Sequence, residues 1–261
     1  MNRIEHRMQE LQQNKEKALI TYMTAGLPDM EKTVEIIKEQ ANAGIDVIEL
    51  GVPFSDPIAD GPVIQDASYR SIQNGTSLVK VFAAVEQVRK DCEVPLIFMM
   101  YYNTILHYGV EAFVKKCREV GVDGLIVPDL PYEEQYELKA YLTEESPILI
   151  QLVSPVSKGR IPKLVKDAKG FIYCVSSMGV TGQGADFHAN VNQYLKEVKA
   201  AADIPVMMGF GIRTAKDVEQ QKETIDGAIV GSAFIKLMEE NQYDARAIAD
   251  YIRKFKAELN A

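Results

Sequence analysis

The sequence has few of the residues that stabilise small domains covalently or bind metals. Its three cysteines are scattered and odd in number, a pattern typical neither of a disulfide framework nor of a zinc knuckle. They are Cys92, Cys117 and Cys174. The three histidines, His6, His107 and His188, fall in unrelated segments and give no zinc spacing. We therefore expect no metal site, and a protein of a reducing, cytoplasmic compartment.

Long hydrophobic runs and an excess of positive charge are also lacking. No apolar stretch approaches the roughly 20 residues of a membrane span, and the polar, helical N-terminus is unlike a signal peptide. The net charge is −8 over 261 residues, which argues against nucleic acid or an acidic membrane as a partner. The chain is long enough to bury a large core unaided.

What the sequence does have is eight short apolar runs alternating with amphipathic helical patterns. The runs are continuous rather than alternating, as in parallel strands that are buried on both faces. They span residues 18–25, 46–52, 95–102, 124–129, 147–153, 171–176, 205–211 and 227–232. A faint repeat, with a helix end, a turn, an aspartate and a strand, occurs in NAGIDVIELG, EVGVDGLIVPD and ETIDGAIVGS.

About eight strand–helix units without a linker predict an α/β protein, a single (β/α)₈ TIM barrel over residues 1–261. An extra helix is expected at the N-terminus, and further helices after strands 2 and 8. The alternative is a doubly wound open sheet, which usually has a glycine-rich turn after its first strand. Here that strand ends in TAGLPD, with one glycine. In a barrel, the active site lies at the carboxyl ends of the strands.

Glu49 lies near the end of the second apolar run, in ELGVPFSDPIADGP. Burial among apolar side chains raises the pKa of a carboxyl group, which suits it to proton transfer near neutral pH. Glu49 is therefore a candidate general acid/base. The structural alternative is a buried glutamate that bonds a neighbouring hydroxyl such as that of Tyr173.

Asp60 follows Glu49 in the same motif and could bring a second carboxylate over the end of strand 2. It could accept a substrate N–H and stabilise developing positive charge. It could equally cap the helix that begins after Gly61, since aspartate is a common N-cap. Asp56, in SDP, also fits a turn-forming role.

Glycines cluster after strands six, seven and eight, in SSMGVTGQGAD, GFGIRT and GSAF. Loops after the last barrel strands often bind phosphate through backbone N–H groups, and glycine lets the backbone approach closely. We expect a phosphate site here, with a mobile lid carrying Gly179, Gly182 and Gly184. The apolar lining of the site would come from Tyr22, Met99, Ile126 and Phe210.

Other chemistries find little support. No lysine ends a predicted strand, which disfavours a Schiff-base aldolase, and no nucleophile has a paired base. Asp29 and Asp129, in TAGLPD and VPDLP, fit helix-entry caps. The remaining interpretation is a barrel that uses carboxylates on a small, phosphorylated and largely apolar substrate.

The motifs ELGVPFSDPIADGPVIQ, MMYYN, GVDGLIVPDLP, SSMGVTG, GFGI and GSAFIK together closely resemble the tryptophan synthase α subunit family, in order and over nearly the whole chain. The resemblance implies a (β/α)₈ barrel that cleaves indole-3-glycerol phosphate to indole and glyceraldehyde 3-phosphate. It also implies an α₂β₂ assembly in which indole passes to a β subunit. Pyridoxal phosphate would belong to that β subunit, and this chain would need no cofactor.

The resemblance further implies roles for single residues. Glu49 would protonate the indole ring carbon, and Asp60 would stabilise the indole N–H as the ring becomes cationic. The residues implied to bind phosphate are Gly182, Gly211, Gly231 and Ser232. Those implied to lie near the substrate or the catalytic pair are Phe210, Ile229, Tyr173 and, on lid closure, Thr181. Those implied to face the β subunit are Pro53, Asp56, Pro57, Asn103 and Pro131.

Two other interpretations remain open. One is a different phosphate-binding barrel, such as a sugar-phosphate isomerase or an indole-glycerol-phosphate synthase, although the synthase would need a strand-end lysine. It would leave indole-3-glycerol phosphate intact. The other is a regulatory subunit that binds a glycerol phosphate without cleaving it. The presence of both Glu49 and Asp60 disfavours a pure binder, since a buried carboxyl is costly without a function.

Overall fold

A computed structural model of the chain describes residues 1–175, 185–209 and 211–261, except for the side chains of residues 158 and 185–190. Its strands are β1 (Ala18–Thr24), β2 (Val47–Gly51), β3 (Leu96–Met99), β4 (Gly124–Ile126), β5 (Ile148–Leu149), β6 (Gln151–Val153), β7 (Ile172–Val175), β8 (Val206–Gly209) and β9 (Gly227–Val230). All strand pairs are parallel, and the order is β5-β4-β3-β2-β1-β9-β8-β7-β6.

This strand order describes a nearly closed barrel. Its first and last strands, β5 and β6, are consecutive in the chain and are separated by Ile150 alone. The N–H of Ile150 still donates to Leu125 on β4, at 2.9 Å, before the chain turns to pair with β7. The run 147–153, predicted as one strand, is therefore two short pieces that share the fifth barrel position. The (β/α)₈ prediction is confirmed, and the open-sheet alternative is wrong because β1 lies between β2 and β9.

Helices surround the barrel and confirm the predicted additions. They are α1 (Arg3–Asn14), α2 (Met30–Asn42), α3 (Pro62–Gln73), α4 (Leu78–Val88), α5 (Tyr102–Tyr108), α6 (Val110–Val120), α7 (Tyr136–Lys139), α8 (Ile161–Val165), α9 (Ala185–Ala201), α10 (Ser232–Glu240) and α11 (Ala245–Leu259). Short 3₁₀ segments span Tyr132–Glu134, Pro155–Arg160 and Ala215–Gln221. The extra N-terminal helix is α1, and two helices follow both β2 and the last strand.

The core has two parts. One lies between the strands and the outer helices, and the other fills the barrel interior. Ile4, Met8 and Leu11 on α1 belong to the interior cluster, since this helix packs against the amino-terminal end of the barrel. The interior is therefore closed at that end, and the opposite end, at the carboxyl ends of the strands, is left to form a site.

The aspartates of the repeat connect neighbouring strands at the amino-terminal end. Asp46, Asp123 and Asp226 each accept a backbone N–H from the strand beside their own. Their donors are Leu19, Leu96 and Val206, at 2.7, 2.8 and 2.7 Å. Each aspartate also pairs with at least one lysine or arginine. The repeat in the sequence is thus a repeated device that fixes strand register.

The two predicted caps differ in outcome. Asp29 caps α2, since its carboxylate accepts the N–H of Lys32 at 2.7 Å. Asp129 instead caps α5, the helix after the preceding strand, because its two oxygens accept the N–H of Tyr102 at 2.9 and 3.2 Å. The loops after β3 and β4 are therefore tied together at the carboxyl-terminal face.

Candidate active site

Glu49 lies on β2, in register with Tyr22 on β1 and Ile97 on β3. It is 1% exposed, and its Oε1 atom has no hydrogen-bond partner among the described residues. A buried carboxylate without compensation is unfavourable, so burial raises the pKa of Glu49 to about 8. The side chain therefore favours the protonated form at neutral pH, as a general acid requires. The alternative of a neighbouring hydroxyl that bonds this oxygen finds no support in the described part of the chain.

Asp60 lies in the loop between β2 and α3. Its Oδ2 atom accepts a hydrogen bond from the Tyr101 hydroxyl at 2.9 Å. Burial raises the pKa of Asp60 to about 6, against the opposing effect of the Tyr101 hydrogen bond. The N-cap of α3 is Gly61, without a side-chain cap. The capping interpretation of Asp60 is therefore wrong.

One cavity of about 160 Å³ brings the two carboxyl groups together at the carboxyl ends of the strands. Eight of the residues predicted from the sequence line it: Tyr22, Glu49, Asp60, Met99, Tyr173, Gly211, Gly231 and Ser232. Five further lining residues are not among those predicted: Gly61, Pro62, Val63, Ile64 and Ile212. Four of these directly follow Asp60, and that apolar GPVI stretch is the signal that could have revealed them. The lining is thus apolar around two acids.

Charge in this cavity is of one sign. Among the lining residues that the structure describes, only Glu49 and Asp60 are acidic, and none is basic. Tyr22 and Tyr173 lie beside them, and burial together with the nearby carboxylates raises the pKa of both phenols well above the ordinary range. The tyrosines therefore remain neutral hydroxyl groups at all physiological pH values.

The part of the cavity that lies after β8 and β9 suits an anion. Helix α10 begins at Ser232, and its N-cap Gly231 supplies no side-chain cap. The N–H groups of Phe234 and Ile235 donate to the Gly231 carbonyl, so those of Ser232 and Ala233 are the ones that can donate to a ligand. Gly211 has φ of +76°, which favours glycine, and a Cβ atom added there would meet no described atom within 4 Å. The backbone is therefore open on this side, as phosphate binding requires.

The remaining predicted residues fall into two groups. Ile126 and Ile229 are 0% and 1% exposed and belong to the barrel-interior cluster that also contains Tyr173. They support the site from below and do not line its cavity. Thr181, Gly182 and Phe210, together with the predicted lid glycines Gly179 and Gly184, lie outside the described residues.

The residues implied to face a partner lie at the same end of the barrel, in the loops after β2 and β4 and, for Asn103, in the first turn of α5. Pro53, Asp56 and Pro57 follow β2, Asn103 follows β3, and Pro131 follows β4. Asp56, Asn103 and Pro131 are exposed, and Pro53 and Pro57 are half-buried. Large apolar side chains are also exposed in the loop after β2, on α5 and in the 3₁₀ segment after β6. They are Ile58, Leu106 and Val156.

A larger recess of about 680 Å³ lies away from this site, between the start of α1 and the segment around β5. Its lining mixes Glu5, Glu144 and Asp167 with Lys139 and Lys169. It lies near the amino-terminal end of the barrel and contains no pair of buried carboxyl groups. Chemistry, rather than size, therefore identifies the smaller cavity as the candidate active site.

Neither a metal centre nor a membrane-spanning helix is found in the described residues. No group of three or more histidine, cysteine or acidic side chains in these ranges is arranged to bind a metal ion. Among the helices of the described part of the chain, none has both the length and the apolar character needed to cross a bilayer.

Comparisons with known proteins point to one family. Residues 8–261 match the family model described as "Tryptophan synthase alpha chain". The chain is 62% identical to the tryptophan synthase alpha chain of Lachnospira eligens over 264 residues, covering 100% of both proteins. It is 43% identical to that of Alkaliphilus metalliredigens, covering 98% of this chain and 96% of the relative.

Solved structures give the same result. The tryptophan synthase subunit alpha of Legionella pneumophila superimposes with a TM-score of 0.90 at 35% identity, covering 99% of this chain and 98% of that one. A chain of the M. tuberculosis tryptophan synthase in its aminoacrylate-bound form gives 0.88 at 31% identity, covering 100% of both.

Proposed function

We propose that Glu49 and Asp60 perform the reaction of the family to which this chain belongs, the tryptophan synthase alpha chains. Members of this family are carbon–carbon lyases that cleave indole-3-glycerol phosphate in tryptophan biosynthesis. The observation that supports this most directly is the cavity they share. It holds two carboxyl groups with raised pKa values, an apolar wall, and an uncapped helix start.

The lining suggests how the substrate lies. Its phosphate would bind at Gly211, Gly231 and Ser232, where backbone N–H groups and the start of α10 favour an anion. The indole ring would lie on the apolar side, against Met99 and Ile64. The bond between the ring and the glycerol chain would then lie near both carboxyl groups, which line the same cavity. Residues 181, 182 and 210 keep their proposed substrate-binding roles.

Glu49 would act first, as the general acid. Its proton moves to the ring carbon that bears the glycerol chain, and the ring becomes a cation. The carbon–carbon bond then breaks, and its electron pair returns to the ring to give neutral indole. The adjacent glycerol hydroxyl becomes the aldehyde of glyceraldehyde 3-phosphate, and its proton returns to Glu49, so no proton is gained or lost overall. Burial suits Glu49 to this exchange, because its pKa of about 8 lies near neutral pH.

Asp60 would stabilise the cationic ring. As a carboxylate it accepts the indole N–H, whose positive charge grows only as the ring is protonated, so the interaction strengthens in the transition state. With a pKa of about 6, Asp60 is mainly ionised at pH 7, whereas Glu49 is mainly protonated. The two environments thus separate the acid from the charge stabiliser.

A β subunit partner follows from the family, and we propose the α₂β₂ assembly with pyridoxal phosphate in the β subunit and no cofactor in this chain. The proposed interface comprises Pro53, Asp56, Pro57, Asn103 and Pro131. Ile58, in the loop after β2, and Leu106, on α5, support it, since both expose apolar surface close in sequence to the proposed interface residues.

We also propose that residues 1–261 form one domain and that the protein acts in the cytoplasm. For the domain, the first strand pairs with both β2 and β9, so the two ends of the chain meet in one sheet. For the compartment, all three cysteines are free, and two of them are buried.

The test is indole release from indole-3-glycerol phosphate, with the full chain alone and with a matching β subunit. We expect slow release that rises sharply with the partner. Glu49→Gln should lower the rate by roughly 10²–10⁴-fold while substrate affinity stays nearly unchanged, because only the proton is lost. Asp60→Asn should also lower the rate. Glu35→Gln, an exposed residue on α2, is the matched control.

Three results would count against the proposal. Unchanged release by the Glu49 variant would remove this residue from the mechanism. Fast release by the chain alone, unaffected by the partner, would indicate a free-standing lyase. Binding of phosphoribosyl compounds without any cleavage would favour a different phosphate-binding barrel.

A further inference from the structure

Tyr101 is a buried residue of the site region to which the sequence motifs assigned no role. It lies two residues beyond β3, directly before α5, and is 4% exposed. A buried phenol must find hydrogen-bond partners, because an unpaired polar group in the interior is costly.

Both partners of the Tyr101 hydroxyl lie in the loop that carries Asp60. The hydroxyl donates to Oδ2 of Asp60 at 2.9 Å and accepts the N–H of Ala59, also at 2.9 Å. One oxygen therefore holds a backbone group and a carboxylate of consecutive residues. The bond engages Oδ2, so Oδ1 keeps its full capacity to accept a substrate N–H.

The ring of Tyr101 is itself held in place. It stacks on Phe54, with ring centroids 5.0 Å apart and an angle of 23° between the planes. The backbone directly after Tyr101 enters α5, whose first N–H donates to the carboxylate of Asp129. Stacking and capping both restrict the ring, so the hydroxyl presents a fixed donor to the carboxylate.

We propose that Tyr101 is a positioning residue that aims the Asp60 carboxylate at the substrate N–H. The inference rests on the proposed function of Asp60. Phe54 lies beside Pro53 in the loop proposed to face the β subunit. The stack therefore also connects that loop to the orientation of the Asp60 carboxylate. Tyr101 does not touch the reacting atoms, and it acts only through Asp60.

A change at Tyr101 should alter the titration of Asp60. The titratable groups that line the cavity with Asp60 are Glu49 on β2, Tyr22 on β1 and Tyr173 on β7. Of the groups around Asp60, Tyr101 is the one that lowers its pKa, through the hydrogen bond to the ionised form. Loss of that hydroxyl leaves burial unopposed, so the pKa of Asp60 rises.

The experiment compares Tyr101→Phe with wild type in indole release across pH 5–9, using the full chain. A charge-assisted hydrogen bond contributes enough that its loss should lower kcat roughly tenfold, with little change in KM. The acidic limb of the profile should move to higher pH, and the basic limb, set by Glu49, should stay in place. Tyr102→Phe is the control, because the Tyr102 hydroxyl donates instead to Glu137 outside the cavity.

The carboxyl titration of Asp60, followed by ¹³C NMR in the ligand-free protein, gives a readout independent of catalysis. A Tyr101→Phe titration identical to that of wild type would overturn the inference, even if the wild type released no indole and the proposed function had failed. If Tyr101→Phe does not fold, Phe54→Leu decides, since it keeps both hydrogen-bond partners and removes only the stack. We expect it to raise the Asp60 pKa by a smaller amount, and no change would again overturn the inference.

Discussion

The burial of Glu49 should make the stability of the fold depend on pH in a way that a single substitution removes. Burial raises its pKa from an ordinary value of 4.5 to about 8. The folded protein therefore holds this proton more tightly than the unfolded chain does. The contribution of Glu49 to stability is complete below its unfolded pKa and is lost as the pH rises through the folded value.

The size of the loss follows from the distance between the two pKa values. Each pH unit between them corresponds to about 1.4 kcal/mol. From pH 5 to pH 8 the wild type should therefore lose about 4 kcal/mol of unfolding free energy through this one group. Glu49→Gln has no proton to release, so the variant should lack this slope. If Glu49 is the proposed acid, Glu49→Gln has opposite effects on catalysis and stability: it removes the proton donor, and it makes the fold more stable at alkaline pH.

Urea unfolding at pH 5, 6, 7 and 8 measures the effect for wild type and Glu49→Gln. The difference in unfolding free energy between the two proteins should change across the series by about 4 kcal/mol, in favour of the variant at high pH. Glu35→Gln, on the exposed face of α2, should run parallel to wild type. Parallel curves for Glu49→Gln as well would refute the reasoning, since they would mean that the pKa of Glu49 is not raised in the folded protein.

Three further predictions concern backbone geometry and the strand-tying aspartates. Gly211→Ala forces a side chain into a positive φ at a cost of about 1–2 kcal/mol, which the loop relieves by turning its backbone away from the phosphate position. Binding must then restore the strained conformation, so calorimetry should show roughly tenfold weaker glyceraldehyde 3-phosphate binding; equal affinity would contradict it. In Gly51→Ala the added Cβ would overlap the Tyr22 hydroxyl, so Tyr22 must move and indole release should fall by about tenfold or more; an unchanged rate would count against this packing. Asp46→Ala removes the carboxylate that binds Arg7, Lys256 and the N–H of Leu19. Urea unfolding should show a loss of about 3 kcal/mol in unfolding free energy, whereas a loss below about 1 kcal/mol would contradict the buried network.

The barrel could be predicted from the sequence because the patterns that indicate it are local and repeated. Continuous apolar runs, a helix after each and an aspartate before several strands recur often enough to predict parallel pairing. Glu49 stands out for a related reason: an acid at the end of a buried run conflicts with local pattern, and such conflicts mark functional sites. The glycines after the last strands predicted an anion site because glycine lets the backbone approach a phosphate closely.

Features that depend on distances between segments could be seen only in the three-dimensional structure. By sequence Asp60 could be a helix cap or a ligand group, and the structure excludes the cap. The N-cap of α3 is Gly61, and the Asp60 carboxylate instead accepts a hydrogen bond from Tyr101, 41 positions away. The local pattern predicts that Asp129 caps the helix it precedes, whereas it caps α5. The fifth strand divides at Ile150 because closure of the barrel requires it to pair with β4 and then with β7.

The chemistry of the site shows the same division. The amino-acid sequence shows which groups are available to the site: two carboxyl groups, apolar neighbours and glycines at strand ends. Their pKa values, which support the proposed roles of Glu49 as the acid and Asp60 as the charge stabiliser, depend on the fold. The physical reason is that a pKa depends on burial and on hydrogen bonds from distant segments, and neither quantity exists until the chain has closed into a barrel.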